Sequence, residues 1–150
     1  MASYLLDTVP EPSYHGAAMT DRELLELAAK ASGIDLHFRK ALMPKNPDVP
    51  CYLDVNSVGE SNHPYWQPVI RWNPLTNDGD ALRLAVKLGL DINCYRKDNK
   101  TSACLFQDGI QHRCIERTDW IDAYTATRRA IVRAAAEIGK AITTPNKQGD

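Results

Sequence analysis

The sequence predicts an α+β fold: a three-layer α/β/α sandwich with a mostly antiparallel sheet, in the order α-β-β-β-α-β-β-β-α. Three observations carry this. Three stretches repeat apolar residues at helical spacing and have recognisable ends. Short runs with strand character are joined by tight turns or loops. In the second group of strands, bulky apolar residues fall on both faces (Ile92, Leu105 and Ile110 on one; Tyr95, Phe106 and Ile115 on the other), so cover is expected on both sides.

The first helix is read in "MTDRELLELAAKASGI". Thr20 and Glu23 form a Thr-x-x-Glu capping box, and Leu24, Leu27, Ala28 and Ala31 make the apolar stripe. Gly33 suits the left-handed residue past the helix end, with Ile34 covering the last turn. "DLHFRKALM" reads as a strand, followed by a connection carrying Pro44, Pro47 and Pro50. "CYLDVNS" is the second strand, with Leu53 and Val55 facing away from Tyr52, Asp54 and Asn56. "YWQPVIRW" is the third; Pro68 removes a donor there, which places it at an edge or a bulge.

A second helix runs from about Asp78 to Leu88 and ends at Gly89. Its apolar face is Leu84, Ala85 and Leu88, widened by Leu82 and Val86, with Arg83 and Lys87 outermost. Three strands follow: "INCYRKD", "SACLFQD" and "IQHRCIER". Asp108-Gly109 is a strong two-residue hairpin signal; with Gln107 opposite Ile110, Ala103 faces Cys114. A second tight turn at Asp98-Asn99 would set Cys94 opposite Ala103 as well. The last and longest helix, "DWIDAYTATRRAIVRAAAEIGKAI", is capped by Thr118 or Asp119, with Asp122 in the first turn where the helix dipole favours a carboxylate.

A chain of 150 residues is read as a single domain over residues 19–142, with a polar tail at 143–150. Residues 1–18 have no sustained period and read as a flexible extension. Met19 is the alternative initiator, because His15-Gly16-Ala17-Ala18 can be encoded by codons containing GGAG just upstream of an ATG. Hydrophobic residues make up 43% and charged residues 25%, ordinary for a globular protein. A net charge of −1 gives no basic field for long DNA or anionic membrane. No apolar run approaches the roughly 20 residues that span a bilayer, and the N-terminus lacks a signal-peptide pattern, so the expected location is cytoplasmic.

Four cysteines, Cys51, Cys94, Cys104 and Cys114, contain no Cys-x-x-Cys pair, and they read as free buried thiols. In the expected register Cys94 and Cys114 flank Ala103 at roughly 9–10 Å, too far for a disulfide. The acidic corner Asn77-Asp78-Gly79-Asp80 could hold a cation or a phosphate, but a calcium loop needs a terminal carboxylate that is missing, and a phosphate loop needs more glycines and a Lys-Ser/Thr pair. A helix cap from Thr76, Asn77 or Asp78, with Asp80 complementing the dipole, accounts for the stretch. His15, His37, His63 and His112 are scattered; His112, opposite Leu105, reads as a packed residue, and with Cys114 it supplies only two zinc ligands. No Gly-x-Ser-x-Gly elbow is present. No catalytic residue, metal ligand or cofactor is assigned, and the reading leans against an enzyme.

"MTDRELLELAAKASGI", "WNPLTNDGDALRLAVKLGL" and "TRRAIVRAAAEIGKAI" resemble phrases of the phage ABA-sandwich-domain proteins, small proteins encoded by tailed phages and prophages. The resemblance covers most of Thr20 to Ile142 and implies the same three-layer arrangement, an accessory role and a bacterial host cytoplasm. The family has no assigned activity, so no functional residue is carried over.

Two candidate surfaces follow from the residues. Tyr52, Tyr65 and Trp66, in or beside the connecting segment 43–65, suit a protein interface, since aromatics are enriched at interface hot spots. The basic face of the last helix (Arg128, Arg129, Arg133 and Lys140), with Tyr124 or Trp72 to stack a base, suits a small nucleotide or a short nucleic-acid segment. The competing reading of that face is a solvated surface with Arg133 paired to Glu137. The leading expectation is a non-catalytic binding protein for a host protein. A nucleotide-binding module comes second and a metal-dependent enzyme last; homo-oligomerisation stays open.

Overall fold

A computed structural model describes residues 18–39, 48–53, 69–107, 110–117 and 121–143. The expected extension 1–18 and tail 143–150 fall outside these residues, apart from Ala18 and Thr143. The fold is α+β in the expected order, with helices α1 (Asp21–Ser32), α2 (Asp78–Leu88) and α3 (Ala123–Thr143). The strands are β1 (His37–Arg39), β2 (Val49–Leu53), β3 (Val69–Arg71), β4 (Asp91–Tyr95), β5 (Lys100–Gln107) and β6 (Ile110–Arg117). They form two antiparallel three-stranded sheets, β1-β2-β3 and β4-β5-β6, an arrangement consistent with a sandwich.

The local signals act as read. In α1 the Glu23 amide donates to Thr20 Oγ1 and the Glu23 carboxylate accepts from the Thr20 amide at 2.7 Å, so both arms of the capping box are made. Gly33 (φ 71°) and Gly89 (φ 66°) end α1 and α2 in the left-handed conformation, which glycine adopts without a Cβ penalty. β3 lies at a sheet edge; Pro68 is outside the described residues.

β5 and β6 pair as the Asp-Gly turn dictates, Gln107 opposite Ile110 and Ala103 opposite Cys114. The β4–β5 register differs from the expected one by two residues. Arg96–Asp98 forms a 3-10 turn closed by Asn99 at φ 47°, a longer connection than a two-residue turn. It sets Ile92 opposite Ala103 and Cys94 opposite Thr101. An even shift preserves which face each side chain takes. Cys94 is thereby moved toward the end of the sheet and exposed, which corrects the expectation of four buried thiols; Cys51 and Cys104 are buried, Cys114 is intermediate, and all four are free.

α3 is the common wall. It packs against α1, α2 and the β4-β5-β6 sheet. Its buried residues Ala130, Ile131, Val132, Ala134, Ala135 and Ala136 therefore occupy nearly every direction around the helix. Small side chains let the partners approach closely: at Gly139 an added Cβ would lie 2.1 Å from the Leu27 carbonyl oxygen of α1. Leu24, Leu25, Ala28, Leu84, Ala85, Trp72, Leu75 and Ala103 complete the core, and Phe38 and Tyr52 of the first sheet pack against it.

Two further expectations are corrected. Leu82 and Val86 do not widen the buried face of α2: they are 60% and 73% exposed, because Ala81, Leu84 and Ala85 are the side turned to the core. The N-terminus of α3 is capped by Asp122, whose Oδ1 accepts the Thr125 amide at 2.9 Å and whose Oδ2 accepts the Thr125 hydroxyl at 2.6 Å. β6 extends to Arg117, which leaves the helix to begin later than Thr118 or Asp119 would set it.

Candidate functional site

The acidic corner before α2 is filled by its own chain. Asn77 caps the helix, its side chain accepting from the Asp80 amide at 2.9 Å. One Asp80 oxygen accepts the Asn73 amide at 2.9 Å, tying the helix to the turn that follows β3. Asp78 pairs with Arg128 of α3. Pro74 and Trp72 are buried beside the turn. Both carboxylates thus serve the corner, one toward its backbone and one toward α3.

The basic face of α3 is engaged in the same way. Arg128, 17% exposed at its side chain, donates from Nε to the Leu75 carbonyl at 2.9 Å, from Nη1 to Asp78 and from Nη2 to Thr125 Oγ1 at 2.9 Å. Arg129 pairs with Asp21 of α1 at 3.1 Å. Arg133 pairs with Glu116 of β6, while Glu137 pairs with Lys140, so the expected Arg133–Glu137 pair is not formed. Half burial lowers the Arg133 pKa, but the Glu116 carboxylate outweighs that and the net shift is upward. Three arginines at neighbouring positions of one helix thus each hold a different element to α3.

The aromatic candidates are dispersed. Trp72 is 5% exposed and lies in the core, with its ring already packed, and Tyr52 is partly buried against the same core. Tyr124 is exposed. Tyr65 and Trp66 lie outside the described residues. Among the described residues no three His, Cys, Asp or Glu side chains gather into a group able to hold a metal ion.

A site not anticipated from the sequence lies on the second sheet. Ile92, Ala103 and Cys114 face α3, so the alternate residues face outward. There a cavity of about 320 Å³ is lined by Asp91, Asn93, Tyr95, Ser102, Cys104 and Arg113, with Ile92 also contributing to its wall. Arg113 reaches across β5 and donates from Nη2 to the Tyr95 hydroxyl at 3.4 Å. The Cys104 thiol donates to the Asp91 carbonyl at 3.7 Å. Ser102 is 1% exposed, and its hydroxyl is the buried side-chain polar atom left without a hydrogen-bond partner among the described residues. The sequence signal was the run of polar residues at outward positions (Asp91, Asn93, Ser102 and Arg113); it is visible only once the register is known, and bulky Tyr95 and Ile115 on the same face hid it.

No family model, curated protein or solved structure matches the chain. No helix among the described residues is long and apolar enough to cross a membrane.

Proposed function

We propose that this chain is a phage or prophage accessory protein that acts without catalysis, by binding a host protein in the bacterial cytoplasm. One observation carries the binding reading: Leu82 and Val86, four residues apart and 60% and 73% exposed, stand side by side on the outer face of α2. Arg83 and Lys87 flank them, also exposed. An apolar pair within a basic rim suits a partner that offers an apolar groove edged by carboxylates. The resemblance of three sequence phrases to those of the phage ABA-sandwich-domain proteins supports the phage setting.

The nucleotide reading draws less support. Each guanidinium it requires is matched by a carboxylate of this chain, so a phosphate would have to displace Asp78, Asp21 or Glu116.

The test is affinity capture from host lysate followed by titration calorimetry with the captured protein once purified. The wild type is expected to bind, and Leu82→Asp with Val86→Asp to weaken binding by at least about tenfold at unchanged melting temperature. Equal affinity of the double variant would overturn the α2 reading; a nucleotide-induced rise in melting temperature that Arg129→Ala plus Arg133→Ala abolishes would replace it with the nucleotide reading.

A further inference from the structure

We propose that the cavity on the outward face of the β4-β5-β6 sheet binds a small zwitterion of the α-amino-acid class. Its carboxylate is received by Arg113 and Ser102, and its ammonium group by Asp91. The site lies on the sheet rather than on α2, and the inference stands independently of the protein-binding reading.

The argument begins with the register. Asp91, Cys104 and Arg113 form one row across three strands, with Asn93, Ser102 and Ile115 in the next row. Asp91 and Arg113 therefore flank the cavity from its two sides, two strand spacings or roughly 10 Å apart at the backbone. The Arg113 guanidinium hydrogen-bonds the Tyr95 hydroxyl of β4, another residue of the cavity wall, so the cation is held at the cavity.

Arg113 makes that one hydrogen bond among the described residues, to a neutral hydroxyl, and is exposed. Asp91 is exposed, and among the described residues its carboxylate has neither a hydrogen bond nor a charged partner. Every arginine of the α3 face, by contrast, is matched internally. The cavity thus presents one cation and one anion that do not neutralise each other.

The floor points the same way. A buried hydroxyl without a partner is destabilising, and it can donate to a carboxylate. Ser102 supplies that donor from the middle strand, one row along from the two charges, the Tyr95 hydroxyl has its own proton free while accepting from Arg113, and Asn93 adds amide capacity. A simple anion would leave Asp91 facing a like charge, and a simple cation would meet Arg113. A neutral molecule with both charges satisfies the whole lining, and about 320 Å³ is room for a molecule of amino-acid size.

The test titrates the full chain with each of the twenty proteinogenic L-amino acids, followed by calorimetry and amide chemical shifts. For any that binds, the matching decarboxylated amine and deaminated acid are titrated alongside. At least one amino acid is expected to bind, with both matched compounds weaker by about tenfold or more, since each lacks one charge-assisted contact. Arg113→Ala, Asp91→Asn and Ser102→Ala are each expected to weaken it by a similar factor. Ser102→Ala removes only an unpaired hydroxyl, so it keeps the fold; Leu82→Asp with Val86→Asp is expected to bind the amino acid unchanged, which separates this site from the α2 surface. No binding across the panel at millimolar concentration would overturn the proposal. So would an acid or an amine that binds as well as its amino acid, or a Ser102→Ala variant that binds as tightly as the wild type.

Discussion

Ser102 and Gly139 are places where a single atom decides the outcome. The Ser102 hydroxyl is buried with no partner, a state whose desolvation is uncompensated. Ser102→Ala is accordingly expected to raise stability by about 1 kcal/mol, read as a higher urea midpoint at unchanged slope. A lower midpoint would mean that the hydroxyl has a partner in solution. Gly139 tests the opposite sign. Glycine in an exposed helix is poorer than alanine by about 1 kcal/mol, so propensity alone favours Gly139→Ala. The added Cβ, however, would fall 2.1 Å from the Leu27 carbonyl oxygen, and backbone on both sides leaves no flexible chain end to yield. Overpacking wins, and Gly139→Ala is expected to destabilise by on the order of 3 kcal/mol in chemical denaturation. In the sequence Gly139 is one more residue of a helical pattern; its role depends on α1, more than a hundred residues away in the chain.

At the scale of elements, the arginines of α3 act as ties of graded strength. Arg128 satisfies a carbonyl, a carboxylate and a hydroxyl from one planar fork while mostly buried. Its removal leaves the Leu75 carbonyl and Asp78 without their donor, and Arg128→Ala is expected to lose about 2–3 kcal/mol. Arg128→Lys should recover little of it, because an ammonium cannot reproduce the fork. Arg129, whose partner Asp21 is largely exposed, is expected to lose less than about 1 kcal/mol when changed to Ala. Equal losses at the two positions in denaturant melts would contradict this ranking. What the sequence revealed at this scale was local. The Thr20–Glu23 box, Asn77 among the cap candidates, Gly33, Gly89 and the Asp108-Gly109 hairpin each follow from residues within a few positions of one another. Some misses were local, an unrecognised turn among them; the others were set by distant chain. The β4–β5 register turned on a 3-10 turn and a left-handed Asn99; the solvent side of α2 turned on where α3 lies; and the partners of Arg128, Arg129 and Arg133 come from α2, α1 and β6. The outward cavity belongs with these, since its lining residues converge only after that register is set.

For the whole molecule, pH separates the helix ends from the core. Glu23 and Asp122 both have pKa values held below the ordinary carboxylate range by cap hydrogen bonds, to Thr20 and Thr125 respectively. A depressed folded-state pKa gives stability that is present above the unfolded value and lost as pH falls through the folded one, so these caps weaken on the acid side. Cys114 acts on the alkaline side. It faces α3 from β6, and burial pushes its thiol from 9.0 to about 11, with Glu137 and Glu116 raising it further and Arg133 and Lys140 opposing. Below pH 9 the thiol is protonated in both states and the native packing is undisturbed. Between about pH 9 and 11 the unfolded chain releases this proton and the folded chain does not, so the unfolded state gains and stability declines; above about 11 the contribution levels off. Other groups titrate in the same range, but the difference between wild type and Cys114→Ala isolates this one. Melts from pH 7 to 11.5 are expected to show a shallower alkaline decline in the variant, even if its stability at pH 7 is somewhat lower. Parallel declines would mean that Cys114 is solvated in the native state and that α3 does not seal this face of the sheet.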